Sequence, residues 1–398
     1  MKPAFELPGL DVLQSKIFSA RHQISYAIEQ FRIGRHEASK RRMFERWLNE
    51  LKQHPPDVLV GSNFADFGGV RHHIHAIQRY SSLRVELAPS DSLMKHVSAH
   101  EIANSFRQNF NDFRPPSGLK AIHSHVFPWF VQWSRRVKGT GPLWIHTYHA
   151  PYFRDEGSSA LLPWQEQFNA VSYGDASHAD VRISVSRWQQ RYLRDEHAIQ
   201  TRYLPNGVDV GLCDRADPNR FRRKFQRGEF VLYVGRDEPV KNPADFVKLA
   251  GRLPEMNFVM IGQGLGKDTW PARDVAVPHN LSPLGDTSHM GTLDAIAACS
   301  ALVVTSKREG LPTVVLEAMA LGKPVVVPDD PGCVEALGRR DLGYVYAPSD
   351  IADLSEKTLA ALDESSSPDR RAHVVAEYDW RVIAPKLDAI YSGRDVST

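Results

Sequence analysis

Residues 301–330, ALVVTSKREGLPTVVLEAMALGKPVVVPDD, constrain the fold more than any other stretch of the chain. A β-branched run from Leu302 to Thr305, bounded by polar residues, reads as a buried strand. The loop Ser306 to Pro312 follows. A helical run from Thr313 to Leu321 is stopped by Gly322, with Pro324 two residues on, a common C-terminal signal. Val325 to Val327 form the next strand. Strand, loop, helix and strand make one parallel crossover unit, and such units bind ligands at the carboxyl ends of their strands. Two acids punctuate it, Glu309 in the loop and Glu317 about one turn inside the helix. As paired carboxylate acceptors they suit two sets of hydroxyls on one ligand. On spacing alone, a solvated loop acid and an ordinary helix glutamate would read the same way.

A chain of 398 residues exceeds one ordinary core and points to two domains. No run of about 18 apolar residues is present to span a membrane, and the opening MKPAFELPGLDV lacks a signal-peptide core. The formal net charge of +2 argues neither way on nucleic acid, and no nucleic-acid partner is expected. Cys213, Cys299 and Cys333 are far apart and form no metal-type pair. An odd count without C-x-x-C points to a reducing compartment, so a cytoplasmic protein is expected.

Residues 1–56 read as a helical extension. From Lys16 to Lys52, Ile17, Phe18, Ile24, Ile28, Phe31, Met43, Phe44, Trp47, Leu48 and Leu51 fall at helical spacing, beside a basic face densest at Lys40-Arg41-Arg42. Two helices packed on the body or on another copy of the chain is the favoured reading. A peripheral contact with anionic lipid at the inner face of a membrane is the alternative. The first strand, Asp57 to Ser62, follows Pro55-Pro56 and runs into Gly68-Gly69 and a helix from Val70 to about Tyr80. Paired glycines between strand and helix let the backbone approach a ligand. Further strands are expected at Arg84–Leu87, Lys120–His125, Leu143–Thr147 and Val181–Val185. His123 with His125, and His72 with His73 and His75, form two local clusters. Neither has the carboxylate or cysteine company and spacing of a metal site, and no metal is expected.

After the polar connection 209–229, a second domain spanning 230–377 opens with the buried strand Phe230 to Gly235. Arg236 and Lys241 then place two cations at a strand's carboxyl end, with Asn242 and Pro243 as N-cap and first residue of a helix. Fixed positive charge beside free backbone donors is a competent diphosphate site. The glycine-rich turn Gly262 to Gly266 lacks the dinucleotide spacing and opens no helix. Tyr378-Asp379-Trp380-Arg381 begins a terminal helix.

Glu309-Gly310-Leu311-Pro312, through Leu316-Glu317-Ala318-Met319-Ala320 to Gly322-Lys323-Pro324-Val325-Val326, resembles the E-x7-E segment of retaining GT-B glycosyltransferases, specifically family 4. Gly68-Gly69 resembles that family's glycine-rich loop. Ile145-His146-Thr147-Tyr148-His149-Ala150 resembles its strand ending in a histidine that faces the donor sugar, and Pro205-Asn206-Gly207-Val208-Asp209 its P-N-G-V-D turn. Gly235-Arg236 with Lys241 resembles its phosphate-binding pair, although Asn242 stands where the family usually has Gly. Pro331-Gly332-Cys333-Val334-Glu335 looks like a shortened G-x-x-E turn.

The resemblance implies an α/β protein of GT-B architecture, two doubly wound Rossmann-like domains (57–208 and 230–377) facing a central cleft. The C-terminal helix 378–398 would cross back to complete the first domain. It implies a retaining, metal-independent hexosyltransferase that uses a nucleotide-diphosphate sugar as co-substrate, with no permanently bound cofactor. Acceptors in such proteins are sugars, lipid-linked groups or small molecules. Arg236, Lys241, Glu309 and His149 would carry catalysis, while Gly68, Gly69, Gly235, Gly310, Leu311, Pro312 and Glu317 would bind the donor. A phosphorylase of the same fold and a non-catalytic nucleotide-sugar-binding protein are the alternatives. The N-terminal extension lies outside the resemblance.

Overall fold

The computed structural model describes residues 42–61, 68–89, 113–149, 152–153, 161, 163–226, 228–267, 277–364 and 367–394. Residues 1–55 with 89–117 form one compact unit, and 56–88 with 118–398 form another. The first unit therefore takes in residues that the sequence reading assigned to the first Rossmann-like domain. Its described part holds a helix over 42–53, with Phe44, Trp47, Leu48 and Leu51 buried at the expected spacing. Phe44 and Trp47 meet edge to face at 5.4 Å between ring centroids. The rest of the proposed extension, including its basic face around Lys40, lies outside the described residues.

The second unit contains two six-stranded parallel sheets. The first runs in the order β2 (Val85–Ala88), β1 (Val58–Gly61), β3 (Ala121–Ser124), β4 (Leu143–Tyr148), β5 (Val181–Ser184), β6 (Arg202–Tyr203). The second runs β12 (Tyr344–Tyr346), β11 (Val325–Pro328), β10 (Ala301–Val303), β7 (Phe230–Val234), β8 (Asn257–Ile261), β9 (Leu281–Pro283). Counting from its own first strand, the second sheet has the 3-2-1-4-5-6 order of a dinucleotide-type fold, reversing direction between β7 and β10. The first reverses between β1 and β3. Parallel sheets are covered on both faces, which is why β1, β7, β10 and β11 read as nearly unbroken apolar runs.

Helix Trp380–Tyr391 packs on the first sheet, not the second. Trp380, Ile383, Ala384 and Leu387 share a core with Val58, Val60, Ile77 and Ile145. Its path is set at Val208, whose N–H donates to Tyr378 O at 2.7 Å and whose carbonyl accepts from Trp380 N at 3.1 Å. Near its end, Asp388 accepts hydrogen bonds from Ser81 Oγ and from the N–H and Oγ of Ser82. The connecting stretch after Asp209 is more ordered than its polar composition suggests. It carries helices Val210–Cys213 and Pro218–Lys224, and Arg220 forks onto Asp294 with two 2.8 Å contacts.

Candidate active site

The strand order predicts where a ligand goes, because chains leaving β7 and β10 turn to opposite faces and open a crevice at their carboxyl ends. Gly235 and Arg236 leave β7 there, and the loop carrying Glu309 leaves β10 there. Lys241 and Glu309 meet in an ion pair, Nζ to Oε1 at 2.6 Å. Ser306 Oγ donates to the same carboxylate oxygen, also at 2.6 Å. Sequence reasoning gave these two residues separate tasks, and the structure joins them. Glu309 is buried and Lys241 largely so, so their attraction is weakly screened. Arg236 is the more exposed cation and contacts Glu238 at 3.1 Å.

Two backbone details shape this loop. Gly332 lies so close that a Cβ built on it would stand 2.1 Å from Glu309 O. Only glycine lets the 309–310 backbone pass there. Asp330 then accepts from the N–H groups of Glu309, Gly332 and Cys333, while burial pushes its carboxyl up to about 6. Asn242 adopts φ 47°, ψ 54°, the left-handed region that Gly enters freely and Asn tolerates better than most residues. That is the reason Asn can stand where the family has Gly. The capping expectation needs correction, since the Asn242 side chain accepts no N–H and instead donates to Asp245 Oδ2 at 2.6 Å.

Glu317 is buried on helix Thr313–Ala320, and its Oε1 meets His289 Nε2 at 2.6 Å. His289 begins the helix His289–Ala298 and stacks on His72 of helix Gly69–Tyr80, with centroids 4.0 Å apart. Burial alone would lower the His289 pKa, but the hydrogen bond and charge of Glu317 outweigh it and raise it. Burial, and then the neighbouring His289, pushes His72 down to about 4. Nothing in the local pattern around His289 singled it out; only the fold brings it to Glu317.

The first sheet faces the same crevice. A Cβ on Gly69 would sit 3.5 Å from Thr313 Oγ1, so the glycine pair approaches the start of the Glu317 helix. Gly68 has φ 103°. Trp188 Nε1 donates to Gly310 O at 2.8 Å and Asn206 Nδ2 to Leu311 O at 3.1 Å, which pins the loop ahead of Pro312 from across the crevice. Glu335 accepts the N–H groups of Arg187 and Trp188 at 2.6 and 3.0 Å, so a carboxylate on helix Pro331–Leu337, which follows β11, caps helix Arg187–His197 beside the first sheet. His149 leaves β4 with its carbonyl held by Gln189 Nε2 at 3.0 Å, and burial takes its pKa down to about 4. Its Nε2 lies 3.1 Å from His125 Nδ1. The two histidine clusters weighed separately in the sequence thus partly merge, with His73, His125 and His149 together.

Residues 215–377 match the family described as Glycosyl transferases group 1, and residues 101–212 match Glycosyltransferase Family 4. The glycogen synthase of Mycobacterium tuberculosis is 30% identical over 200 residues, 47% of this chain and 47% of that protein. The chain thus spans about half the length of that relative. A phosphatidyl-myo-inositol mannosyltransferase of Mycobacterium leprae is 26% identical over 288 residues, 68% of this chain and 72% of its own. The same fold is found in HepE of Anabaena, solved in complex with UDP and glucose, at TM-score 0.67 and 16% identity over 85% of this chain and 99% of that one. It is also found in the sucrose-phosphate synthase of Thermosynechococcus elongatus, at TM-score 0.66 and 18% identity over 84% and 98%. Two parallel Rossmann-like sheets, both with their site-bearing loops at the carboxyl ends, define the GT-B class of glycosyltransferase. Within that class the chain belongs to the family 4 type.

Proposed function

We propose that the protein is a retaining, metal-independent glycosyltransferase that moves a hexosyl group from a UDP- or GDP-sugar to an acceptor hydroxyl. The observation that carries this reading is the placement of Arg236, Lys241, Glu309 and Glu317 at the point where the second sheet reverses direction. Glu317 binds the ribose hydroxyls, and Glu309 binds hydroxyls of the transferred sugar. Gly235 and the backbone of Gly310, Leu311 and Pro312 line the donor path, with Gly68 and Gly69 covering it. Breaking the bond between the anomeric carbon and the diphosphate oxygen develops positive charge on the sugar and negative charge on the leaving group. Arg236 and Lys241 stabilise the latter, each such preorganised contact being worth about 3 kcal/mol, or about a hundredfold in rate. The acceptor oxygen bonds to the same face of the anomeric carbon, and its proton passes to a leaving-phosphate oxygen. His149, kept neutral by burial, is able to hydrogen-bond a sugar hydroxyl.

The solved relative with UDP and glucose and the mannosyltransferase relative support a nucleotide-sugar donor and a sugar or lipid-linked acceptor. Thermal shift against UDP, GDP, ADP and their sugars without added metal tests the donor, since a ligand that binds only the folded chain raises its melting point. Stabilisation by one nucleotide, lost in Arg236→Ala and Glu317→Ala, is the expected result. No shift at millimolar nucleotide would sink the donor assignment. Release of sugar 1-phosphate on addition of inorganic phosphate would favour a phosphorylase, and nucleotide binding without turnover a binding protein. The anomeric configuration of the product, read by NMR, decides between retention and inversion.

A further inference from the structure

His73, His125 and His149 come from three elements, helix Gly69–Tyr80 and the residues just beyond β3 and β4. One ring nitrogen from each lies within 4.8 Å of the others. His125 Nδ1 and His149 Nε2 are 3.1 Å apart. A tetrahedral ion with metal–nitrogen bonds of 2.0–2.1 Å sets its nitrogens about 3.3 Å apart, so this edge already has the right dimension. His73 has at most about 1.5 Å to close on the same geometry, a distance within reach of a side-chain rotation.

Hydrogen bonding within the protein leaves the cluster short. Both nitrogens of His73 and Nε2 of His125 are buried without a well-formed hydrogen bond, the Asn206 side chain being the polar neighbour of His73. His73 stands edge-on to His125, His149 and Trp380 at 5.4, 5.1 and 5.0 Å, while the His123 ring lies 4.1 Å from that of His125. Buried polar atoms in folded proteins are almost always paired, and His73, with neither nitrogen paired, has one lone pair to give to a ligand shared with His125 and His149. The frame around them is fixed. His123 is held between Tyr391 OH at 2.6 Å and Thr147 Oγ1 at 2.7 Å, and the His149 carbonyl is held by Gln189.

We propose that His73, His125 and His149 form a binding site for a divalent transition-metal ion of the Zn2+ type, with three protein nitrogens and one open coordination position. An all-imidazole donor set suits Zn2+, Co2+, Ni2+ or Cu2+ and does not suit Mg2+ or Ca2+, which take oxygen ligands. The site stands on the first sheet, apart from the Arg236–Lys241 pair on the second, so the leaving diphosphate does not depend on it. With Nε2 on the metal, His149 keeps Nδ1 for a ligand, and the ion fixes the ring's orientation. The proposal rests on this cluster alone and stands or falls independently of the donor assignment.

The test uses the full chain with any purification tag removed. The protein is exposed to Zn2+ or Co2+, dialysed against metal-free buffer, and its metal content measured by mass spectrometry. One ion per chain is expected, with the intense visible bands of four-coordinate Co2+. His73→Ala and His125→Ala each lower the affinity at least about tenfold, while the circular dichroism of the metal-free variants matches that of the parent. If a variant does not fold, stoichiometry and the Co2+ spectrum of the parent decide. Retention well below one ion per chain, a six-coordinate Co2+ spectrum, or undiminished binding in both folded variants would overturn the site. The first of these outcomes would leave bridging water as the partner of these nitrogens.

Discussion

On the proposed function, His289 and the ribose would compete for the Glu317 carboxylate, and the competition would have a pH sign. In the free protein His289 Nε2 lies 2.6 Å from Glu317 Oε1, with side-chain exposures of 24% and 12%, so solvent screens the pair little. The groups that face His289 are Glu317, Asp209 and the stacked His72; beyond His72 lie His75 and Arg71. The folded pKa of His289 is raised above 6.5. Its protonated contact with Glu317 is therefore fully present below about pH 6.5 and is lost as pH rises through the raised value. A hydrogen bond to a charged partner is worth about 1 kcal/mol more than a neutral one, which is about fivefold in affinity. The affinity for the stabilising nucleotide-sugar should thus be about fivefold weaker at pH 5.5 than at pH 8.5. In His289→Gln the profile should flatten above about pH 6.5, Asp330 being left to titrate near pH 6, and the variant should bind more tightly than the parent at low pH. Isothermal titration with the intact nucleotide-sugar is the suitable assay, because the terminal phosphate of a free nucleoside diphosphate would itself titrate in this window. A flat profile in the parent would refute the competition. So would weaker binding by His289→Gln at every pH, since His289 would then be placing Glu317 for the ribose.

Three other outcomes follow from local geometry. Gly332→Ala puts a Cβ 2.1 Å from Glu309 O and 2.9 Å from Gly310 O, both backbone atoms, so the loop must move; about tenfold or greater loss of donor affinity is expected, with about 1–3 kcal/mol of stability lost in urea denaturation. Asn242→Gly should leave stability nearly unchanged, whereas Asn242→Ala at φ 47° should cost about 1 kcal/mol, read from the urea midpoint. Glu335→Ala removes the acceptor of two N–H groups at the start of helix Arg187–His197 and should cost about 1 kcal/mol, with a larger effect on the KM for donor than on kcat if closure of the crevice precedes chemistry.

The second sheet was legible because its chemistry is local. Glu309, Glu317 and the strands on either side lie within one crossover unit, and Arg236 and Lys241 lie within a few residues of one strand end. Apolar runs gave β7, β10 and β11 to within a residue or two. The short strands Arg202–Tyr203 and Tyr344–Tyr346 escaped notice because two or three residues carry no readable period. The helices after Asp209 escaped because Pro218–Lys224 is held by tertiary pairing of Arg220 with Asp294 more than by an apolar stripe of its own.

The crevice itself was not legible, and the reason is physical. Each contact that completes it joins residues far apart in the chain: His289 to Glu317, Trp188 to Gly310, Asn206 to Leu311, Glu335 to the N–H groups at 187 and 188. A motif records which residue types follow one another, and these partners follow nothing. The histidines make the point most directly. Scored by neighbours in sequence, His72, His73 and His75 formed one cluster and His123 and His125 another, and each lacked the company of a metal site. In the folded chain the parallel register of β3 and β4 sets their ends side by side, and helix Gly69–Tyr80 lays His73 across them. The clusters divide on folding: His72 stacks on His289, Glu317's partner at the start of helix His289–Ala298, while His73 turns to the ends of β3 and β4. Adjacent residues on one helix thereby meet two different groups of side chains, because successive side chains on a helix point about 100° apart.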